Sequence, residues 1–164
     1  MCEDHRVASN PFTDPEVTEY AGQLFFRLWR ASHTRIAEAL ESVGLTPALF
    51  GVLNVLRARD GAIQQEIASS MGIDPSTMVS LIDDLERAGL AERRPHPTDR
   101  RAREVAITPQ GRRLLDRGRR MATEVDSEVL RGLSAAERRE LMMLLRRALS
   151  AAPAQSPWRA EEGD

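Results

Sequence analysis

The chemistry available in this sequence is electrostatic rather than covalent. Between Ala91 and Arg120 stand ten arginines, at 93, 94, 100, 101, 103, 112, 113, 117, 119 and 120. Only four acids oppose them: Glu92, Asp99, Glu104 and Asp116. Ten against four leaves that segment at +6, in a chain whose formal net charge is −2. A guanidinium is a planar fork of donors that matches phosphate geometry. A basic segment within an otherwise acidic chain is the electrostatic footprint of a nucleic-acid binder. All the basic residues are Arg and none is Lys. Codon usage in a GC-rich genome favours that, so the preference for Arg is not itself functional evidence.

Covalent and metal chemistry are poorly provided for. No nucleophile–base pattern and no Gly-rich phosphate loop occurs, so an enzyme is not expected, and no cofactor is implied. His5, His33 and His96 lie far apart without metal-ligand spacing, so no metal site is expected. The lone Cys2 excludes an intramolecular disulfide and a cysteine-rich zinc site. It reads as a neutral surface thiol rather than a redox switch.

Just before the arginines, Gln64 to Asp83 meets the demands of two helices crossing steeply over a tight turn. Such a crossing needs a small residue in the first helix and a flexible one in the turn, and Ala68 and Gly72 supply them four residues apart. Ile67, Met71, Ile73, Met78, Leu81 and Ile82 form the inner face. Ser76, Thr77, Val79, Ser80 and Asp83 are left outside on the second helix. A surface of mostly small, uncharged side chains can reach the floor of a major groove. A plain helix hairpin within a bundle would satisfy the same pattern. The segment downstream decides between them. Residues 90–94 and 103–107 read as strands, and 95–102 between them as a loop with Pro95 and Pro97. Helix, turn, helix, strand, loop, strand is the order of a winged helix-turn-helix. Arg100, Arg101 and Arg103 put positive charge at or near the wing tip, where a narrow minor groove attracts arginine. Asp99 stands two residues before Arg101, close enough to orient it. A solvated charged loop is the competing reading of this run.

Other elements must hold that reader in place. Aromatics are 4% of the chain and apolar residues 41%, so the core is aliphatic. The spacing of Val17, Tyr20, Leu24, Leu28, Ile36, Leu40 and Val43, widened by Phe25 and Trp29, predicts a helix over 16–43 ended by Gly44. Such a helix is about 40 Å long, too long for a small domain to cover, so a second subunit should cover part of it. A second helix is expected over 47–59, with Thr46 as cap and Pro47 in its first turn. Short helices are expected over 63–71 and 75–88, the latter capped by Asp74, led by Pro75 and ended by Gly89. After the hairpin, a helix runs from 109 to 131. Ser134 and Glu137 form a capping box that opens the last helix, to 151. Leu141, Met142, Leu144, Leu145, Ala148 and Leu149 are expected to be buried on it. The fold class is mainly α with a small β-hairpin wing, in the order α-α-α-α-β-β-α-α. Residues 1–15 and 152–164 read as disordered tails.

The segment from Leu45 to Leu115 resembles the multiple-antibiotic-resistance-regulator (MarR) family. The residues that carry the resemblance are Leu45-Thr46-Pro47, Ile67-Ala68-Ser69-Ser70-Met71-Gly72-Ile73, and Ser76-Thr77 with the run from Leu81 to Leu90. Most specific is the wing pattern Asp99-Arg100-Arg101 leading into Ile107-Thr108-Pro109-Gln110-Gly111. The resemblance implies a homodimeric transcription regulator, usually a repressor of nearby genes, that binds an inverted repeat in double-stranded DNA. Residues 45–108 would be the DNA-binding domain, and 16–44 with 109–151 the dimerisation helices. It also implies release by a small aromatic, phenolic or anionic effector. The expected DNA contacts are Pro75, Ser76, Thr77, Val79 and Ser80 on the recognition helix, with Arg94, Asp99, Arg100, Arg101 and Arg103 on the wing. Effector candidates are Phe25, Phe26, Trp29, His33, Phe50 and Arg112; the aromatics also fit a plain core role.

One departure from the family matters. Its recognition helices often carry a groove-facing Arg or Lys, but here Met78 and Val79 follow Thr77 and no basic residue precedes Arg87. The wing and the stretch from Arg112 to Arg120 are then left to supply phosphate affinity; Arg112, Arg113, Arg119 and Arg120 equally fit a role in solvating their helix or pairing acids. The family's oxidation sensors use a cysteine near the start of the first helix, and Cys2 lies well upstream, so peroxide sensing is not implied. The competing function is a winged-helix interaction module without sequence-specific DNA binding. No apolar run is long enough to span a bilayer, and no charged segment leads into an apolar leader. The expected location is the cytoplasm, on nucleoid DNA.

Overall fold

The computed structural model describes residues 20–59, 61–95 and 103–151. Both expected tails, Cys2, the wing tip and its residues Asp99, Arg100 and Arg101 lie outside these residues. Local rules account for most helix boundaries. Helix α1 (Ala21–Glu41) gives way to Gly44, whose φ of 75° suits glycine. Helix α2 (Pro47–Ala58) starts where the Thr46 hydroxyl accepts from the Leu49 N–H at 3.2 Å. Helix α3 (Gln64–Met71) ends at left-handed Gly72. Helix α4 (Pro75–Arg87) is capped by the Asp74 carboxylate, which accepts from the Thr77 N–H at 2.9 Å. At α6 (Ala135–Ala151) the capping box is reciprocal. The Ser134 N–H donates to Glu137 at 2.7 Å and the Glu137 N–H to the Ser134 hydroxyl at 3.3 Å.

The sheet holds one strand more than the sequence pattern predicts. Strand β1 (Ala62–Ile63) pairs antiparallel with β3 (Arg103–Ile107), which also pairs with β2 (Ala91–Pro95), giving the order β1-β3-β2. Ala62 lies opposite Val105, and Ala91 opposite Ile107. A two-residue strand carries no periodicity of its own, and its partner lies some forty positions away. Helix α3 accordingly begins at Gln64 rather than 63. Pro95 ends strand β2 rather than opening the loop; β2 is an edge strand, where proline's missing N–H costs no ladder bond.

A single aliphatic core joins these elements. Val52, Leu53 and Leu56 of α2, Ile67 and Ala68 of α3, and Met78, Ile82 and Leu85 of α4 meet there. Leu40 of α1, Leu115 of α5 (Pro109–Val129) and Val105 of β3 close it. The helix-turn-helix inner face is thus where the pattern put it, with Met71, Ile73 and Leu81 at its half-buried margin.

The last helix overturns the expected burial. No residue of α6 is buried; Met142, Leu144, Ala148 and Leu149 are exposed, Leu149 by 74%, and Leu141 and Leu145 are only half-buried. Apolar spacing marks a face to be covered but does not say by what.

The tightest backbone approach fixes α5 to the end of α4 and the start of β2. A Cβ on Gly111 would stand 2.1 Å from the Leu90 carbonyl oxygen. Beside it the Thr108 hydroxyl donates to the Gly89 carbonyl at 2.7 Å and accepts from the Gly111 N–H at 3.0 Å. Gly111→Ala is expected to cost about 1–3 kcal/mol through forced displacement of α5. Gly22→Ala, in α1 with nothing within 4 Å of the new methyl, should instead stabilise by up to about 1 kcal/mol. Denaturant midpoints of the two variants test the contrast.

Candidate nucleic-acid interface

Helix α4 divides its side chains cleanly. Met78, Ile82 and Leu85 are buried, whereas Pro75, Ser76, Thr77, Val79 and Ser80 are exposed together at its N-terminal end. Val79 is 39% exposed, the only large hydrophobic so placed between α1 and α6 among the described residues. All five expected recognition-helix residues therefore share one open surface. The cap shapes it further. The Ser76 hydroxyl donates to Asp74, so it points towards the start of the helix. That bond, with those from Thr77, holds the Asp74 carboxyl well below the usual carboxylate range.

The wing strands contribute unequally. Arg94 is exposed, but its Nε donates to Glu92 at 2.8 Å and its Nη2 also bonds that carboxylate. A phosphate would have to displace Glu92. Arg103 is exposed at the start of β3. Arg93, absent from the expected contacts, is the best-connected arginine here. Its Nη1 meets Asp83 at 2.7 Å and also Glu86, its Nη2 donates to Gln64 at 3.2 Å, and its backbone N–H donates to Glu86 at 2.7 Å. Burial alone would lower its pKa, but the Asp83 and Glu86 carboxylates outweigh burial and raise it, so the charge is permanent. A signal for this was present: strand alternation sets Arg93 on the face opposite Glu92 and Arg94.

On α5 part of the arginine stretch is tied to α2 and part is exposed. The Arg119 Nε donates to the Asn54 Oδ1 at 2.9 Å, and Asp116 pairs with Arg57 at 3.4 Å, each tying α5 to α2. Arg113, Arg117 and Arg120 are exposed and Arg112 is half-buried.

The six effector candidates do not converge. Phe25, Trp29 and His33 line an open groove of about 680 Å³ between α1, the end of α5 and α6. The Trp29 and His33 ring centroids are 4.8 Å apart. Phe26 contacts Trp29 at 6.1 Å between centroids but lines a different depression, along α1. Phe50 packs into the core, 2.9 Å from where a Cβ on Gly118 would stand. Arg112 lies in the first turn of α5 and does not line the groove. Asp126, not foreseen, does line it, and burial raises its pKa. Among the described residues, no three His, Cys, Asp or Glu side chains form a metal-binding group, and no helix is long and apolar enough to cross a membrane.

Fold and exposed face together define a winged helix-turn-helix DNA-binding protein. The sequence profile of the MarR family matches residues 43–102. A Thauera aromatica protein assigned to the regulation of the hcr operon is 36% identical over 131 residues, covering 77% of this chain and 79% of that protein. The chain belongs to the MarR family of transcription regulators, which are not enzymes. Among solved structures it is similar to the transcriptional repressor CouR bound to a 23-mer DNA duplex, with a TM-score of 0.70 and 30% identity, over 82% of this chain and 95% of that one. CouR from Rhodococcus jostii RHA1 bound to p-coumaroyl-CoA matches with a TM-score of 0.70 and 27% identity, over 90% of this chain and 100% of that one.

The Asp74 cap gives a pH signature. Its folded pKa is depressed, so its stabilisation is present above the ordinary aspartate value of about 3.9 and is lost as pH falls below it. Asp74→Asn keeps an accepting oxygen but no charge. Its melting temperature should trail the wild type at pH 7, and the gap should narrow at pH 3. A gap independent of pH would contradict the assignment.

Proposed function

We propose that this chain is a homodimeric repressor that binds an inverted repeat and is released by a small aromatic effector. The observation that carries this is the partition of exposed large hydrophobics. Among the described residues, ten of the eleven lie on or beside α1 and α6: Tyr20, Leu24, Phe25, Phe26, Leu28, Trp29, Met142, Met143, Leu144 and Leu149. The eleventh is Val79, on the recognition surface. An apolar surface of this extent is expected to be covered, and a second copy presenting the same surface does so with two-fold symmetry. Two-fold symmetry in the protein then calls for two-fold symmetry in the site.

On this reading 20–44 and 109–151 are the frame and 45–108 the reader. The two α4 helices must enter successive major grooves about 34–36 Å apart. Thr77 and Ser80 hydrogen-bond to bases or phosphates, and Val79 packs on thymine methyls. With no cation on the groove-facing surface of α4, Arg100, Arg101 and Arg103 of the wing carry much of the phosphate affinity, with Arg94 once it leaves Glu92. DNA-bound and acyl-CoA-bound CouR support the two halves of the cycle. The groove lined by Phe25, Trp29 and His33 opens on the proposed dimer face. An aromatic ligand there would alter the spacing between readers, lowering DNA affinity by its preference for the other spacing. Its polar lining, Ser32, His33 and Asp126, carries no arginine, so it suits the ring of such a ligand better than an anionic end. A regulator of this kind acts on nucleoid DNA in the cytoplasm.

Selection of bound sequences from random DNA, followed by footprinting, tests the DNA reading. The expected result is palindromic protection, weakened at least tenfold by Thr77→Ala combined with Arg101→Ala. Protection without two-fold symmetry, or binding indifferent to that pair, would sink it. Sedimentation of the full chain should give a dimer, and Leu144→Glu with Leu149→Glu should shift it to monomer and lower operator affinity. Adding p-coumaroyl-CoA or simple aromatic acids to the complex should release DNA; if none of them does, the effector half of the proposal fails.

A further inference from the structure

A recognition helix that approaches DNA should not present a row of uncompensated acids. Helix α4 carries three, Asp83, Asp84 and Glu86, against the single base Arg87. Arg87 pairs with Asp84 at 2.8 Å within the helix. Asp83 and Glu86 would then be left as two negative charges on the helix that reads DNA. Neither is fully buried: their side chains are 46% and 31% exposed. Close to phosphates, such charges repel, and like charges set opposite each other across an interface are strongly unfavourable.

The base that answers them comes from outside the helix. Arg93 sits on the wing strand β2 and reaches back over α4. It bonds Asp83 and Glu86 through one guanidinium nitrogen and Gln64 of α3 through another. Its backbone N–H fixes β2 to Glu86 as well. One side chain therefore joins three elements: the first helix of the motif, the recognition helix and the wing. With these donors so directed, Arg93 is committed inwards rather than towards a phosphate.

We propose that Arg93 is a positioning residue for DNA binding: from the wing it neutralises and holds the two otherwise unpaired carboxylates of the recognition helix, so that α4 meets the DNA backbone without a repelling acidic edge. Arg93 acts through Asp83 and Glu86 and touches no DNA itself. The inference rests on α4 being the reading helix, and its test separates the two.

The test uses the full chain and a DNA duplex selected by the wild type, with binding followed by fluorescence anisotropy over a range of salt. Arg93→Ala should bind on the order of tenfold to a hundredfold more weakly while still melting above the assay temperature. Adding Asp83→Asn and Glu86→Gln should bring affinity back to within about threefold of wild type, with an unchanged slope of log affinity against log salt. A direct phosphate contact behaves differently: the triple variant would stay weak and its slope would fall by about one. That result overturns the proposal, as does an Arg93→Ala affinity equal to wild type. Should Arg93→Ala not fold, Asp83→Asn with Glu86→Gln beside the native Arg93 must bind as well as wild type or better, and weaker binding overturns the proposal. A wild type that selects no duplex at all strikes instead at the DNA-binding reading, and this inference falls with it.

Discussion

Leu90 is the residue at which helix α4, the wing strands and helix α5 become one body. Its N–H bonds the Leu85 carbonyl at 2.8 Å, closing the end of α4. Its carbonyl accepts the Thr108 N–H at 3.0 Å and lies against Gly111 without room for a methyl group. Ala91 begins β2 directly afterwards. The recognition helix, the wing and the long helix α5 therefore diverge from a few atoms whose separations are fixed by contact. Packed backbone is nearly incompressible, so a rotation of α5 is passed to α4 and the wing together rather than absorbed.

Electrostatics determine how the reader is built. The exposed start of α4 carries small side chains and Val79 and no cation, and the arginines stand on neighbouring elements. Some of them are directed inwards. Arg93 holds Asp83 and Glu86, Arg119 holds Asn54, and Arg57 holds Asp116. An arginine count along the chain thus overstates the cations open to phosphate. Of these ties the Arg93 cluster is the most shielded from water, whereas the Arg57–Asp116 pair is exposed and contributes little to stability.

The frame shows the converse. Helices α1 and α6 have apolar stripes as regular as those of α2 and α4, yet the described residues of one chain do not cover them. Trp29 is 51% exposed. Such a surface is costly in water unless another molecule buries it, and Phe25, Leu28, Trp29, Met142 and Leu149 of that surface also line the groove that holds His33 and Asp126.

Much of this was legible in the sequence because it obeys local rules. The Thr46, Asp74 and Ser134 caps, the Ala68–Gly72 crossing, the inner face from Ile67 to Ile82 and the change of period after Gly89 depend on residues within a few positions of each other. So the basic segment from Ala91 to Arg120, and with it the nucleic-acid reading, could be taken from the chain alone. Features that depend on distant partners could not. Strand β1 exists only because β3 offers it an edge. Arg93 becomes a clamp only when β2 lies across α4. Phe50 packs away from the groove of Phe25, Trp29 and His33 because Gly118 on α5 makes space for its ring. The stripe of α6 stays uncovered because nothing in the described chain folds back over it. Periodicity states which faces must be hidden from water. Only the tertiary arrangement decides which partner hides them, since burial is a property of surfaces brought together and not of the residues that compose them.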